Sequence, residues 1–445
     1  MTMKTRICDL LKMKDTVGVH PPQQKMTAGA VIESTQLPDI VTLMMKQHSG
    51  APAKLLVKQG DVVKTGQLIA EATAFISAPV HATLSGEVKR ISSVVHPLTG
   101  ELTTAVTIVS DGADDWVETV MVDPDGLSRE EIIARVQRAG VVGLGGGGFP
   151  TYIKLQPPAD KPIHTVIANG AECEPYITAD TRLMIENPER VVAGLQIVMR
   201  VMKAEQAYIA IEENKPEAIA RLRAYLAQLD LPHVHLFVLK ACYPMGEAAV
   251  LIREVLGVEV PEGGRARDVG VLVQNVGTIA AIYDAVACGK PLVERVMTIT
   301  GMVAKPKNLL VRFGTTASHL IALCGGVKPG GDELLFGGPM LGIAQLSYDS
   351  PVTKSVNCVL VKQSIMKEER NCVRCARCIT VCPMGLMPLM FYNYVRKTIY
   401  DRLAEYRLET CMECGSCAYV CPAKIPLVSY IRIGKDELWK QTTDK

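Results

Sequence analysis

Between residues 50 and 109 the chain alternates short apolar runs with turn residues. The runs begin at Lys54, Gln67, Leu84 and Thr104, and glycine-containing turns separate them. Apolar runs of this length, bounded by turn signals, are typical of β-strands. We therefore predict an all-β domain over residues 1–120, which includes an N-terminal arm ahead of the strands.

The next stretch changes to a helical period. Ser128 and Glu131 form a capping-box pattern, and the apolar residues that follow are spaced for a helix that runs to about Ala139. Further on, the pattern predicts a strand at 165–168, a helix at 188–202, a strand at 207–211 and a helix at 216–228. Alternating strands and helices predict an α/β domain with a mostly parallel sheet over residues 121–290.

Two smaller regions complete the chain. Elements shorten and turn glycines multiply between about 293 and 346, which predicts a small β-rich domain over residues 291–350 with one short helix near 318–323. In the last region, 351–445, apolar positions from Leu389 to Tyr406 form a helical stripe. The predicted fold class is therefore multidomain α/β with a helical C-terminal domain.

Composition excludes several classes of function. The 445 residues carry a net charge of +2, so no basic surface favours nucleic acid. The most apolar stretch, 191–202, contains Gly194, Gln196 and Arg200 and is shorter than the roughly 20 residues that cross a bilayer. We expect no direct membrane span. The charged first residues also do not resemble an export signal, so we expect no export.

The cysteines change this picture most. Eight of the fourteen occur in two copies of Cys-x-x-Cys-x-x-Cys-x-x-x-Cys-Pro, the run that binds 4Fe–4S clusters. In two-cluster proteins the fourth cysteine of each run binds the other cluster. We therefore assign one cluster to Cys372, Cys375, Cys378 and Cys421, and the other to Cys411, Cys414, Cys417 and Cys382. The alternative is zinc, which favours two separated Cys-x-x-Cys pairs.

A glycine-rich loop suggests a second cofactor. Residues 143–148, with the sequence Gly-Leu-Gly-Gly-Gly-Gly, follow a predicted helix and not a strand, so the formal dinucleotide motif is weak. The loop can still fold around a phosphate and present N–H donors. A flexible linker is the alternative. Two segments, 169–175 and 274–278, each follow a predicted strand, where α/β proteins place their ligand loops.

Together these three segments resemble the NADH-oxidising flavoprotein subunit of respiratory complex I. The resemblance implies FMN as cofactor and NAD(H) as substrate, with Glu172 and Glu174 as the candidate catalytic residues; the alternative is that both are helix-capping carboxylates. Leu144 stands where that family usually has an arginine. The implied cofactor-binding residues are Gly143, Gly145, Gly146, Gly148, Lys154, Asn169, Asn275 and Thr278.

The order of the predicted domains is similar to the C subunit of the Rnf ion-translocating ferredoxin:NAD oxidoreductase. That resemblance implies a hammerhead-like N-terminal domain, an FMN/NADH-binding domain, a β-grasp-like insert of the SLBB type and an α-helical ferredoxin domain with two 4Fe–4S clusters. It also implies a peripheral subunit on the cytoplasmic side of a prokaryotic inner membrane. The implied partners are integral membrane and iron–sulfur subunits of the same complex, and indirectly ferredoxin.

Two other functions are compatible with these modules. One is a soluble cobalamin reductase of the microcompartment type, although a β domain precedes the flavin-type region here. The other is a non-catalytic electron-transfer adaptor, which Leu144 alone supports. The six remaining cysteines lack ligand spacing, and we predict packing roles for them: Cys8, Cys173, Cys242, Cys288, Cys324 and Cys358.

Overall fold

A computed structural model describes residues 18–365 and 368–443 of the chain. Cys8 and most of the predicted N-terminal arm lie outside the described residues. The structure confirms the multidomain α/β fold, with a β domain, a parallel α/β domain, a mixed sheet and a helical C-terminal domain in that order.

The β domain consists of two small antiparallel sheets. Its longest pair of strands forms a hairpin in which Val88, Val106 and Ile108 are fully buried, because alternate residues point into the space between the sheets. One sheet contains β2 (Ile40–Met44), β4 (Val62–Val63), β7 (Gly86–Val95) and β8 (Leu102–Ser110); the other contains β3 (Lys54–Leu55), β5 (Leu68–Glu71) and β6 (Val80–His81).

The α/β domain has a four-stranded parallel sheet in the order β11-β10-β9-β12. Its strands are β9 (Thr165–Asn169), β10 (Gln206–Glu212), β11 (Val234–Leu239) and β12 (Val271–Asn275). Its helices are α1 (Arg129–Arg138), α2 (Thr151–Lys154), α3 (Ala179–Glu186), α4 (Pro188–Met202), α5 (Pro216–Leu226), α6 (Ala248–Leu256) and α7 (Val276–Ala287). The chain adds 3₁₀ turns at Pro124–Gly126 and Ala266–Val269. The carboxyl ends of β9 and β12 lie side by side, so the segments that follow them are brought together.

The third sheet is larger than the sequence suggested. Six strands follow the order β1-β14-β13-β17-β15-β16, and two of them, β1 (Ile32–Ser34) and β17 (Cys358–Lys362), lie outside the predicted range 291–350. The remaining strands are β13 (Glu294–Gly301), β14 (Lys307–Arg312), β15 (Glu333–Phe336) and β16 (Ile343–Ala344), with helix α8 (Ala317–Leu323) beside them. The predicted domain boundaries therefore do not coincide with this sheet.

The C-terminal domain is helical and has its own hydrophobic core. The stripe that began at Leu389 is interrupted after Arg396, because Thr398 takes a left-handed backbone conformation, with φ of 54°. Its helices are α9 (Arg377–Thr380), α10 (Pro388–Arg396), α11 (Ser416–Tyr419) and α12 (Leu427–Thr443), with 3₁₀ turns at Tyr400–Arg402, Ala404–Tyr406 and Leu408–Thr410.

The segment from Gly18 to Ser34 ties these parts together. Val19 pairs with Tyr243 of the α/β domain, and β1 adds as a parallel strand to the mixed sheet. Gly18 has no room for a side chain, because a Cβ there would lie 2.2 Å from the Tyr243 carbonyl oxygen. The segment therefore connects the α/β domain with the mixed sheet.

Candidate functional site

The glycine loop connects α1 and α2 and is held from both ends. The Gly143 amide donates to the Phe149 carbonyl at 2.9 Å, and Ser49 of the β domain donates from its amide to Gly148 at 3.0 Å and from its hydroxyl to Gly147 at 2.8 Å. Ahead of the loop, the predicted capping box is present: Ser128 and Glu131 bond each other's amides. The loop ends are thus fixed while its middle remains exposed.

The segment after β12 fastens the loop to helix α7. Asn275 caps this helix by accepting from the amides of Gly277 and Thr278, at 2.9 and 3.2 Å. The Thr278 hydroxyl in turn accepts from the Leu144 amide at 2.8 Å. Thr278 therefore joins the glycine loop to α7, and the cofactor-binding roles of Asn275 and Thr278 stay predictions.

The Leu144 side chain, which stands where an arginine was expected, is buried and lines a cavity of about 280 Å³ together with Asp180 and Arg295. An arginine from a distant part of the sequence nevertheless binds this part of the loop. Arg295, at the start of the mixed sheet, donates to the Leu144 carbonyl at 2.8 Å. Leu144 thus does not disrupt the loop.

Asn169 lies at the end of β9 and joins two neighbouring loops. Its side-chain amide donates to the Gly246 carbonyl at 2.8 Å, and its oxygen accepts from the Ala171 amide at 3.2 Å. The Cys173 sulfur also accepts from the Gly246 amide at 3.4 Å. The structure therefore adds the segment around Gly246, absent from the sequence prediction, to the candidate site.

Glu172 is bound to the start of helix α3. Its carboxylate accepts from the amides of Asp180 and Thr181, at 2.7 and 3.2 Å, and from the Thr181 hydroxyl at 2.5 Å. Burial raises the pKa of Glu172 to about 7, and the neighbouring Asp180 carboxyl adds to the increase. The capping alternative therefore describes the contacts of this residue in the structure.

In the described residues, only one of the two carboxylate oxygens of Glu174 has hydrogen-bond partners. One carboxylate oxygen accepts from the amides of Met340 and Leu341, at 2.6 and 3.1 Å, whereas the other is buried without a hydrogen-bond partner in the described residues. Burial raises the pKa of Glu174 to about 7. A buried carboxylate oxygen without a partner is rare in folded proteins, which makes Glu174 a candidate for a role in proton or ligand binding.

Lys25 of the N-terminal segment fixes the loop that carries both glutamates. Its ammonium donates to the carbonyls of Glu172, Glu174 and Ile177, at 2.8, 2.8 and 2.7 Å. Burial lowers the pKa of Lys25, and the nearby Glu172 carboxylate partly offsets the decrease. Three bonds from one cation hold the backbone of this loop in a single shape.

Lys154 is the last residue of α2, the short helix that follows the glycine loop. It keeps access to solvent, yet the surrounding protein lowers the pKa of its ammonium, while Glu247 favours the charge. Its ammonium donates a long hydrogen bond to the Val273 carbonyl, at 3.4 Å. Lys154 is therefore free to turn toward an anionic ligand.

These features fit a flavin nucleotide. Residues 145–147 are exposed, and a Cβ built on Gly146 or Gly147 would meet no atom within 4 Å. The open backbone can accept a phosphate, and the partly exposed Glu172 and Glu174 lie on the neighbouring loop. The donor set of the site, with open amides and one lysine, matches an anionic cofactor.

The eight cysteines separate into the two predicted sets. One cavity of the C-terminal domain is lined by Cys372, Cys375, Cys378 and Cys421, and a second by Cys382, Cys411, Cys414 and Cys417. No three His, Cys, Asp or Glu side chains in residues 18–365 and 368–443 converge on one point to hold a single ion. Four thiolates around a cavity fit a cluster in which each binds a different iron.

The second cavity lies against the flavin-type site. The Tyr243 hydroxyl donates to the Cys414 carbonyl at 2.6 Å, and Met412 packs in the same apolar group as Cys173 and Met245. Tyr243 is almost fully buried, and burial raises the pKa of its phenol far above the usual range, so it acts as a neutral donor. We call the cluster site of this cavity proximal and the other distal.

Comparison with known proteins agrees with this architecture. Residues 14–113 match the RnfC barrel sandwich hybrid domain, 136–284 the Nuo51 FMN-binding domain, 296–344 an SLBB domain and 371–425 a 4Fe-4S dicluster domain. The chain is 45% identical over 428 residues to the C subunit of the proton-translocating ferredoxin:NAD(+) oxidoreductase complex of Clostridium ljungdahlii, covering 94% of this chain and 93% of that protein. The chain belongs to the RnfC family of ion-translocating oxidoreductase complexes.

Other members of the RnfC family are longer. The relatives from Citrobacter koseri and Haemophilus influenzae are 41% and 39% identical, and matches that cover 95% of this chain span only 60% and 64% of those proteins. A chain of a NAD+-reducing [NiFe]-hydrogenase overlaps with 66% of this chain at 20% identity and a TM-score of 0.49. Within the described parts of the chain, no helix has the length and hydropathy needed to span a membrane.

Family membership confirms the predicted FMN domain and the two 4Fe–4S clusters, and it does not favour the cobalamin reductase or the zinc alternative. Sequence reasoning missed Lys25, Ser49 and Tyr243. Lys25 and Tyr243 are far apart in the sequence, so only the fold shows that they share a site. The pairing of Val19 with Tyr243 is the contact that joins them.

Proposed function

We propose that this chain oxidises NADH, or reduces NAD+, as the peripheral electron-transfer subunit of a membrane-bound ion-translocating ferredoxin:NAD oxidoreductase. It belongs to a family whose Clostridium ljungdahlii member is named for that complex. The observation that carries the proposal is the Tyr243–Cys414 hydrogen bond, which joins the loop of a predicted cluster ligand to the α/β domain.

Different residues of the chain have different proposed roles in the site. The open amides of residues 145–147, together with Lys154, would hold the FMN phosphate, and the fixed loop with Glu172 and Glu174 would face the ring and the nicotinamide. Bound FMN supplies the exchange between a two-electron hydride and single electrons that iron–sulfur clusters need. A carboxyl with a pKa near 7 can hold or release a proton at neutral pH, and Glu174 has a free oxygen to do so.

The contacts also give an order to the clusters. The proximal site shares contacts with Tyr243, and Gly415 of its loop lies against the Met340 carbonyl, next to the amide that binds Glu174. One side of the distal site, from Val373 to Arg377, is exposed. We propose that the proximal cluster exchanges electrons with the flavin site and the distal cluster with an external partner.

The first experiment tests the activity itself. Protein purified without oxygen is expected to contain one FMN and about eight irons, and NADH is expected to bleach the flavin absorbance. Protein with clusters but neither flavin nor a response to NADH would instead be the non-catalytic adaptor, and the proposal would be wrong.

A second experiment tests the cofactor loop. Gly147 has an ordinary backbone conformation and open space beside it, so Gly147→Val should leave the fold intact but fill the space that the phosphate needs. We expect retained FMN to fall at least tenfold, about 1.4 kcal/mol, with an unchanged unfolding temperature. Gly126→Val, at an equally open glycine remote from the loop, is the matched control. Equal FMN content in the two variants would contradict the assignment.

The partners and the location follow from the complex. We propose that integral membrane and iron–sulfur subunits hold this chain at the cytoplasmic side of the membrane, with ferredoxin as an indirect partner. The expected result is that the chain remains with the membrane fraction when those subunits are present and is released when they are deleted. Retention on the membrane after their deletion would contradict this part of the proposal.

A further inference from the structure

The distal cluster site opens to solvent through a positively charged rim. Arg374 and Arg377 line its cavity, and both side chains are exposed. Between them lies the exposed ligand Cys375, and Val373 beside it is 66% exposed. The thiolate side of this site therefore lies at the molecular surface.

Two more cations extend the rim. The Arg370 amide donates to the Ala423 carbonyl at 2.9 Å, which places Arg370 next to Lys424. Ala423 itself lines the cavity. Two exposed acids precede Arg370: Glu368, and Glu369, which accepts from the Tyr430 hydroxyl at 3.1 Å. We call Arg370, Arg374, Arg377 and Lys424 the distal rim; no salt bridge within the described residues involves any of them.

The proximal site differs in both respects. Its cavity lining includes Glu413, whose carboxylate is bound by Arg432 and Lys435 at 2.8 and 2.7 Å, so both of these cations have an acidic partner. Its loop is also covered by Tyr243. In the described residues, the cations around the solvent-facing cluster site thus lack an ion-pair partner, whereas Arg432 and Lys435 at the other site share one.

We propose that the distal rim is the docking surface for a redox protein whose own exposed redox centre is surrounded by acidic side chains. This inference rests on the proposed function, since docking there matters only if electrons leave the chain through the distal cluster. Unpaired rim charges steer an oppositely charged partner and orient it, and Val373 offers an apolar contact at the centre. Anionic lipid would also attract four cations, but it gives no reason for an exposed cluster ligand at their centre.

The test measures binding directly. The probe is a small acidic ferredoxin with one 4Fe–4S cluster, which stands in for the acidic redox partner subunit. It is titrated calorimetrically into the holoprotein at about 20 mM and about 500 mM salt. For Arg374→Glu with Arg377→Glu we expect at least tenfold weaker binding at low salt and less than twofold difference at high salt, because screening removes long-range attraction. Arg221→Glu with Arg223→Glu, an equal charge change on exposed residues of α5, should bind like the unmodified protein.

Further measurements separate the possible outcomes. Iron content and the electron paramagnetic resonance of the reduced clusters must match between variants, so that a lost cluster is not mistaken for lost docking. Equal ferredoxin affinity in rim variant and control would overturn the proposal, as would loss of binding to phosphatidylglycerol vesicles with ferredoxin binding unchanged. NADH oxidation with ferricyanide reports the proposed function separately: it tests the flavin site whether or not the rim binds ferredoxin.

Discussion

At the scale of single residues, Glu174 combines two tightly bound amides with one buried oxygen that has no partner in the described residues. Its pKa rises from 4.5 to about 7, so the folded protein keeps the proton over a pH range in which the unfolded chain has lost it. As the pH increases from about 4.5 to 7, folding therefore loses stability, and the deficit persists at higher pH.

The variant Glu174→Gln tests whether ionisation of Glu174 causes this loss of stability. Glutamine keeps the oxygen that accepts from Met340 and Leu341 but carries no charge, so at pH 8.5 the variant should be more stable by up to about 2 kcal/mol, after allowance for solvent access. At pH 5 we expect little difference. Urea unfolding of the FMN-free protein at both pH values measures the effect, with Glu259→Gln, an exposed carboxyl, as the control. Stabilisation of the same size at both pH values would rule out the proton as its cause.

Lys25 gives a second prediction at this scale. Lys25→Met removes three charge-assisted hydrogen bonds and leaves three carbonyls without their donor, which costs about 2–4 kcal/mol. We expect faster amide hydrogen exchange in residues 171–177 and about tenfold weaker FMN binding. Met26→Ala, a change at the exposed neighbouring side chain, should alter neither. Unchanged exchange in this loop would show that Lys25 does not hold it.

A site residue can be predicted from the sequence when its interaction partners are close to it in the chain. Asn275 and Thr278 were named through the family resemblance, and the helix cap in which the structure places them involves only neighbouring residues. Lys25 was not predicted, since its three acceptors lie 147–152 residues away. Glu172 is an intermediate case: its place in the site was predicted, but its attachment to α3 depends on a left-handed backbone, with φ of 46°, that no sequence pattern shows.

At the scale of elements, the loop that carries Cys414 is attached to the α/β domain through Tyr243. Tyr243→Phe removes only the hydroxyl, so we expect FMN and iron content to remain while the loop loses about 1 kcal/mol of attachment. Electron transfer from the NADH-reduced flavin to the clusters, followed by stopped-flow absorbance, should slow severalfold. Tyr430→Phe removes a hydroxyl bond to Glu369 elsewhere in the cluster domain and serves as the control. Equal rates in both variants would exclude a positioning role for Tyr243.

Elements were predictable where they are long and periodic. The helix Pro188–Met202 matches its predicted range, and strand β9 begins at the predicted residue. Strand β17 was not recognised, because its apolar run of four residues, Cys358 to Val361, carries no period that separates strand from helix. Its place is decided by parallel pairing with β13, some sixty residues earlier in the chain, a contact that local pattern does not contain.

At the scale of the whole molecule, the crosswise cysteine sets can be tested by counting iron in double variants. Cys382 and Cys411 line the same cavity, whereas Cys382 and Cys375 line different ones. Cys382→Ala with Cys411→Ala should therefore retain about four irons, and Cys382→Ala with Cys375→Ala almost none. Iron analysis and electron paramagnetic resonance of the reduced protein give the counts. The opposite pattern would show that Cys382 belongs to the other cluster.

The separate core of the C-terminal domain has a consequence for the lifetime of the protein in the cell. Cys417 and Cys421 are members of that core, and four other cluster cysteines pack against it, so metal uptake and folding of this domain are one process. When iron is scarce, the newly made chain should have a stable flavin half and a C-terminal quarter that proteases attack. Iron supply would then set the abundance of the full-length protein through degradation, without any change in its synthesis.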